Sequence, residues 1–327
     1  MRILVTDKTH PVLEETLRAA GHEVTVDTTL DYDSLLARVG DYDALVVRSK
    51  IVIDRHFLDQ ARHLKCIGRV GAGMETIDVE YAESLGIRCL NSPEGNRDAV
   101  GEHAVGLLLA LFDHIASADA EVRRGLWRRE ENRGLEVKGK TIGIIGFGNM
   151  GRAFAQRLRG FECAVVAYDK YKPAGYAPEG VEEVTLEELQ RRADVVSLHV
   201  PLTDETHYMV DAAFLHAFRK NIFLINTARG AVVKTDDLVA ALDEGKVRGA
   251  ALDVLEYEDM SKDGIELANS QLSTLNSQLV LTPHVAGWKV ASKEKQARVL
   301  AEKIISVTNS SPKLGEVPEG RRSVSIC

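Results

Sequence analysis

The sequence predicts an α/β protein built from two doubly wound parallel sheets, and three observations lead to that class. Short β-branched runs alternate with longer amphipathic ones, the pattern of parallel strands joined by crossover helices. The alternation comes in two series, separated by the charged, glycine-bearing stretch "RRGLWRREENRGLEVKGK". The length, 327 residues, exceeds that of a typical single domain.

The first series places strands at "RILVTD" (2–7), "EVTVD" (23–27), "ALVVRS" (44–49), "LKCIGR" (64–69) and "IRCLN" (87–91). Helical segments fall between them. After Pro93 one long helix is expected from about Asp98 to Arg124, its last part belonging to an arm over about 115–140. The second series runs "TIGIIG" (141–146), "CAVVAYD" (163–169), "DVVSLHV" (194–200), "NIFLIN" (221–226), "GAALDV" (249–254) and "LVLT" (279–282). A last helix, about Ser292 to Val307, is expected to pack back on the first domain. The tail from Thr308 lacks periodicity and is expected to be mobile.

Composition narrows the function. A 45% hydrophobic content supplies core material, and a net charge of −8 argues against a nucleic-acid surface, which needs a clustered basic face. A small-molecule partner is expected instead. The four cysteines, Cys66, Cys89, Cys163 and Cys327, have no metal-site or disulfide spacing, and no metal is expected. The start "MRILVTD" reads as a strand, and "AVGLLLALF" (104–112) is too short to span a bilayer. No membrane association and a cytoplasmic location are therefore expected.

The second series opens with "GIIGFGNMGRAFAQRL", in which Gly146, Gly148 and Gly151 form a G-x-G-x-x-G between a strand and a helix. Gly146 permits the tight turn, Gly148 lets a pyrophosphate approach the backbone, and Gly151 lets helix and strand pack closely. Asn149 and Met150 offer helix-start N–H groups to phosphate charge. A glycine-rich turn without a ligand would look the same, so the next strand decides: it ends in Asp169, placed to accept hydrogen bonds from the adenosine ribose hydroxyls. That carboxylate would repel a 2′-phosphate. NAD, rather than NADP, is the expected cofactor.

A nicotinamide cofactor needs a group that handles the accompanying proton. Three successive strand ends deliver candidates: Arg229 in "NTARG", Glu258 after "ALDV", and His284 in "LTPHVAGW". An arginine there suits a substrate carboxylate, which its planar fork holds with two parallel bonds, although a surface salt bridge is an alternative. His284 alone could cap a turn, ligate a metal or act as acid and base. Its company selects the third role, with a carboxylate to orient it.

"GFGNMG" with Asp169, "NTARG", "ALDVLEYE" and "TPHVAG", in this order, resemble the D-isomer-specific 2-hydroxyacid dehydrogenase family, over nearly the whole chain. The resemblance implies a Rossmann NAD-binding domain (99–287), a flavodoxin-like substrate domain (1–98, completed by the helix 288–308), and a homodimer built on the cofactor domain and its arm. It implies that Arg229 binds the substrate carboxylate and carbonyl, that Glu258 holds His284, and that His284 exchanges the proton. It also implies cofactor contacts from Asp253 to the nicotinamide carboxamide, from His199, Val200 and Pro201 beside that ring, and from Thr227, Ala228 and Gly287.

"VVRSK" (46–50) and "GRVGAGMETID" (68–78) bear on the substrate. The amides of Val70 and Gly71 are expected to bind an anion, unless the loop is an ordinary strand-to-helix turn. Arg48, with Ser49 beside it, and Arg69 stand at strand ends, and phosphoglycerate dehydrogenases, a branch of the family, look similar at both places. Charge matching then favours a phosphorylated 2-hydroxy acid, 3-phosphoglycerate, over glyoxylate or lactate. A hydroxypyruvate or glyoxylate reductase is the alternative within the class, and an NAD-sensing corepressor the alternative outside it. About 40 residues follow His284, fewer than a regulatory domain needs, so feedback control is not expected. Asn96 and Glu102, in "SPEGNRDAVGEH", could cap the long helix or touch a ligand, while His103 and His114 read as packing or surface residues. Thr76 and Asp259 depart from the family pattern, as does the polar insertion 261–278, which lengthens the path from Glu258 to His284.

Overall fold

A computed structural model describes residues 1–258 and 278–309. Asp259, nearly all of the polar insertion and the tail from residue 310 lie outside the described residues. The chain divides into two units, Met1–Asn96 with Trp288–Cys327, and Arg97–Gly287.

The first unit contains the strands β1 (Arg2–Val5), β2 (Glu23–Val26), β3 (Ala44–Val47), β4 (Cys66–Arg69) and β5 (Arg88–Leu90). All pair in parallel in the order β2-β1-β3-β4-β5, the flavodoxin-like arrangement. Its helices are α1 (Pro11–Ala19), α2 (Tyr32–Arg38), α3 (Arg55–Gln60), α4 (Val79–Ser84) and the C-terminal helix, numbered α11 (Val290–Asn309). Asp31, Asp54 and Asp78 start α2, α3 and α4 by accepting the backbone N–H three residues on. The continuous apolar strands "ILV" and "ALVV" are buried on both sides, as a parallel sheet requires. One face packs on Leu35, Phe57, Leu58 and Ala82, and the other on Leu13 and Leu17 of α1 and Ala297, Leu300, Ala301 and Ile304 of α11. The C-terminal helix is therefore half of one face of this core. Gly95 makes room for it, because a Cβ there would stand 2.4 Å from the Gln296 amide nitrogen.

The second unit holds the helices α5 (Arg97–Phe112), α6 (Ile115–Arg123), α7 (Asn149–Leu158), α8 (Leu186–Arg192), α9 (Ala212–His216) and α10 (Thr235–Asp243). Its strands are β6 (Thr141–Ile145), β7 (Ala164–Tyr168), β8 (Glu182–Glu183), β9 (Val195–Leu198), β10 (Ile222–Asn226), β11 (Val247–Leu252) and β12 (Leu279–Leu281). They form one sheet, β12-β11-β10-β9-β6-β7-β8, and every recorded pairing is parallel. Strand order reverses between β6 and β9, the switch point at which open α/β sheets bind ligands. Helices α5 and α7 cover one face, around Leu108, Phe112, Phe147 and Phe154. Helices α8, α9 and α10 cover the other, around Leu189, Leu215 and Leu238.

The single helix expected from Asp98 to Arg124 is two helices, bent by 57°. His114 stands at the break with φ +53, a left-handed residue that stops one helix and starts the next. No single helix among the described residues is long and apolar enough to cross a membrane. Beyond the bend the chain exposes Ile115, Val122 and Trp127, the last to 78%. The two-residue edge strand β8 was not expected; its charged residues carry no hydrophobic alternation.

Most observed strands stop one or two residues before the sequence pattern does. Arg48, Asp169, His199, Asp253 and Thr282 all fall just past the last paired residue. Extended propensity continues through them, but the ladder ends, and their side chains are carried by loops at the carboxyl ends of the strands.

Candidate active site

The glycine turn sits between β6 and α7. Gly146 adopts φ +86, and a Cβ on it would lie 2.5 Å from the carbonyl oxygen of His199. A Cβ on Gly151 would come within 2.2 Å of the Gly146 oxygen. Only glycine meets both demands. Gly148 is the N-cap of α7 and brings no side chain, so the first N–H groups of the helix, at Asn149 and Met150, have neither a capping side chain nor an intrahelical partner. Asp169 accepts the Phe147 amide at 2.8 Å through one oxygen and the Tyr171 amide at 3.0 Å through the other, which ties the glycine turn to the end of β7.

The edge of this site toward β9 and β10 is apolar with one unpartnered polar atom. Val200 and Pro201 are half-buried, Ala228 is buried, and the Thr227 hydroxyl is buried without a protein partner. A side-chain-free turn, a helix start and an orphaned hydroxyl together fit a dinucleotide. His199 lies deeper. Its ring is buried, bonds Ser197 Oγ at 2.9 Å and packs on Phe154 at 5.6 Å, and burial pushes its pKa down to about 3. It is a neutral ring beneath the turn, and its Nδ1 has no partner.

Arg229, Glu258 and His284 come from the loops that follow β10, β11 and β12, three adjacent strands. The turn "NTARG" is held by Asn226, which sequence reasoning missed: its side chain accepts from Ala228 N at 3.0 Å and donates to Arg229 O at 2.9 Å. Arg229 is half-buried and donates to the Ala228 carbonyl at 2.6 Å. Gly230 lets the neighbouring loop approach, since a Cβ there would sit 1.9 Å from Leu255 O. Glu258, in that loop, places Oε1 2.7 Å from His284 Nδ1 and accepts the Leu255 amide through Oε2 at 3.2 Å. The imidazole is thus oriented through Nδ1, which leaves Nε2 as its outward nitrogen.

His284 itself has φ +52, a region that non-glycine residues seldom occupy. The turn that holds it hangs from Asp253. The Asp253 carbonyl accepts the His284 amide at 2.7 Å, and its carboxylate accepts Thr282 Oγ1 at 2.6 Å, Val285 N at 2.9 Å and Ala286 N at 2.9 Å. The resemblance implied a cofactor contact for Asp253; the structure shows a side chain 1% exposed, with these donors around it. Burial works to raise its carboxyl pKa, but the hydrogen bonds from His103, Thr282, Ala286 and Val285 outweigh it and hold it below the usual range. His103, expected to be a packing or surface residue, is a member of this network. Gly287 ends the turn, half-buried.

In the first unit, Arg48 follows β3 and Arg69 ends β4. The Arg48 amide donates to Asp7 at 2.8 Å, and its guanidinium lies 4.8 Å over the Trp288 ring. Arg69 Nε donates to the Arg48 carbonyl at 3.3 Å, and its Nη1 occupies the space 2.7 Å from where a Gly71 Cβ would be. Ser49 is exposed. The expectation that the Val70 and Gly71 amides bind an anion is corrected: Val70 N donates to Val47 O at 3.0 Å and Gly71 N to Ser92 Oγ at 3.1 Å. Sheet pairing continues one residue past β4 and a buried serine takes the next donor. No group of three or more metal-ligating side chains exists among the described residues.

Residues 105–286 match the family model described as "D-isomer specific 2-hydroxyacid dehydrogenase, NAD binding domain". The chain belongs to that family. The 7-stranded unit of this family member is accordingly its NAD-binding domain. A D-3-phosphoglycerate dehydrogenase of Methanocaldococcus jannaschii is 38% identical over 94% of the chain, which spans 57% of that relative. The chain thus spans little more than half the length of that relative. A glyoxylate reductase of Thermococcus litoralis is also 38% identical, over 87% of the chain and 84% of the relative. Among solved structures, the TT0316 protein of Thermus thermophilus superposes with a TM-score of 0.78 at 35% identity, over 94% of this chain and 97% of that one.

Proposed function

We propose that this family member is an NAD-dependent oxidoreductase that interconverts a D-2-hydroxy acid and its 2-oxo acid. The observation that supports the reading most directly is the 2.7 Å contact between His284 Nδ1 and Glu258 Oε1, with Arg229 in the loop that follows β10, the neighbour of β11 in the same sheet. NAD, when bound, is the hydride acceptor or donor. Asn149 and Met150 hold its phosphates, Asp169 its ribose, and Thr227 and the Val200–Pro201 edge its other end. In the oxidative direction His284 takes the hydroxyl proton on Nε2, and Glu258 stabilises the imidazolium that forms. Arg229 holds the substrate carboxylate in its planar fork and stabilises charge on the reacting oxygen.

The substrate we favour is 3-phospho-D-glycerate, oxidised to 3-phosphohydroxypyruvate. Arg48 and Arg69 support it, as two guanidinium groups at neighbouring strand ends suit a dianionic phosphate better than an uncharged substituent. A reductase of hydroxypyruvate or glyoxylate is the second reading, favoured by the equal identity to a glyoxylate reductase.

Initial rates of NADH oxidation with 3-phosphohydroxypyruvate, hydroxypyruvate, glyoxylate and 2-oxoglutarate in one buffer separate the two. The favoured substrate predicts a preference for the phosphorylated acid that disappears in Arg48→Ala or Arg69→Ala. Equal or better rates with the unphosphorylated acids would transfer the assignment to the second reading.

A further inference from the structure

The turn that carries His284 is anchored by a chain of polar side chains that the proposed reaction does not use. Thr282 Oγ1 lies 2.6 Å from Asp253 Oδ1, and His103 Nε2 lies 3.0 Å from Thr282 Oγ1 and 3.4 Å from Asp253 Oδ1. His103 comes from α5, 179 residues before Thr282 in the sequence.

The direction of these bonds follows from chemistry. Asp253 is held as a carboxylate and can only accept. The single hydroxyl proton of Thr282 is therefore committed to Asp253, and Thr282 can only accept from His103. His103 must carry a proton on Nε2. The chain runs in one direction, His103 to Thr282 to Asp253, and the carboxylate at its end collects the Val285 and Ala286 amides as well.

A left-handed histidine persists only where its surroundings over-determine the backbone. Here the Asp253 residue does so from three sides: its carbonyl takes the His284 amide, one carboxylate oxygen takes the Val285 amide, and the other takes the Ala286 amide. Rotation of that carboxylate would release both amides. Thr282 resists its rotation by donating to it directly, and His103 by holding Thr282 and lying 3.4 Å from Asp253 Oδ1.

We infer that His103 and Thr282 are positioning residues, which act through Asp253 to hold the His284 backbone where its imidazole meets Glu258. This rests on the acid and base role proposed for His284. It assigns work to a histidine that touches no reacting atom, and it makes Asp253 a structural anchor of the loop.

The test uses the full chain, with NADH and the fastest of the four oxo acids above. Removal of the donor in His103→Leu, or of the hydroxyl in the isosteric Thr282→Val, should lower kcat by about tenfold to a hundredfold, the scale of a small misplacement of a reacting group. NADH affinity, read by fluorescence without substrate, should stay within about threefold, because neither side chain is assigned to the cofactor. Amide hydrogen exchange of the ligand-free protein should show lost protection over 284–286. His103→Gln and Thr282→Ser restore a donor and a hydroxyl and should recover most of kcat. The double variant His103→Leu/Thr282→Val should be little worse than either single one, since both cut the same chain.

Unchanged kcat in both single variants would overturn the proposal, as would multiplicative losses in the double variant or a loss that Gln and Ser do not rescue. A His284→Ala variant made in parallel separates the two readings. If it retains turnover, the acid and base assignment fails; if it is inactive while His103→Leu is fully active, only the positioning chain fails.

Discussion

Glu258 and His284 stand 26 residues apart in the sequence and 2.7 Å apart in space, and the link between them is a single hydrogen bond between a carboxylate oxygen and Nδ1. The pair is 24% and 29% exposed, dry enough for the interaction to count and open enough for the outer nitrogen to meet a ligand. Two neighbouring strand ends create that proximity. The acid and base role proposed for His284 depends on the imidazole keeping this orientation.

Loss of the imidazole should therefore separate binding from turnover. His284→Ala is expected to reduce kcat by about 10²–10⁴-fold while NADH binding, measured by fluorescence, stays near the parent value. Glu258→Gln keeps a hydrogen-bonding group but cannot stabilise a positive ring, so it should retain more activity than His284→Ala. Full turnover in either variant would remove that residue from the proposed mechanism.

Asp169 is expected to set the choice of cofactor and to brace the turn that receives it. Asp169→Ala removes the carboxylate that would repel a 2′-phosphate, together with the acceptor for the Phe147 amide at 2.8 Å. The KM for NAD should rise on the order of tenfold or more, the scale of a charged hydrogen bond, and the ratio of NAD to NADP efficiency should fall. An unchanged ratio would mean that discrimination lies elsewhere.

The buried ring of His199 makes a prediction about acid stability. In the folded protein it remains neutral down to about pH 3, while in the unfolded chain it takes a proton near its ordinary value of 6.5. The contribution of this ring to stability is thus complete above about pH 6.5 and is lost as pH falls from there toward 3, by up to about tenfold in the folding constant per pH unit. Urea unfolding at pH 7 and pH 5 should show a smaller drop in His199→Gln, which cannot titrate, than in the parent protein. Identical drops would show that the ring contributes nothing to the acid limb.

The legible part of the site was the part written in local order. The turn at Gly146, Gly148 and Gly151 depends on backbone that must bend between one strand and one helix, so its spacing is visible in a few residues. The strand ends that carry Arg229, Glu258 and His284 were visible for a similar reason, since parallel strands buried on both faces read as apolar runs. Other parts were not written locally. Nothing near His114 announces the bend, because two polar residues within an apolar helix read equally well as an exposed face. In sequence the amides of Val70 and Gly71 read as free donors, and in the fold Val47 and Ser92 hold them.

The sequence by itself determined the class of fold, the cofactor turn and the identity of the acid and base candidate, because strand propensity, glycine geometry and side-chain chemistry act over short stretches of chain. Only the tertiary structure decided which groups Asp253 and His103 meet. Their partners are Thr282, Val285 and Ala286, brought to them by the pairing of β11 with β12 and by the packing of α5 against the same sheet. A hydrogen bond selects its partner by distance and direction, and those exist only once the strands are in register.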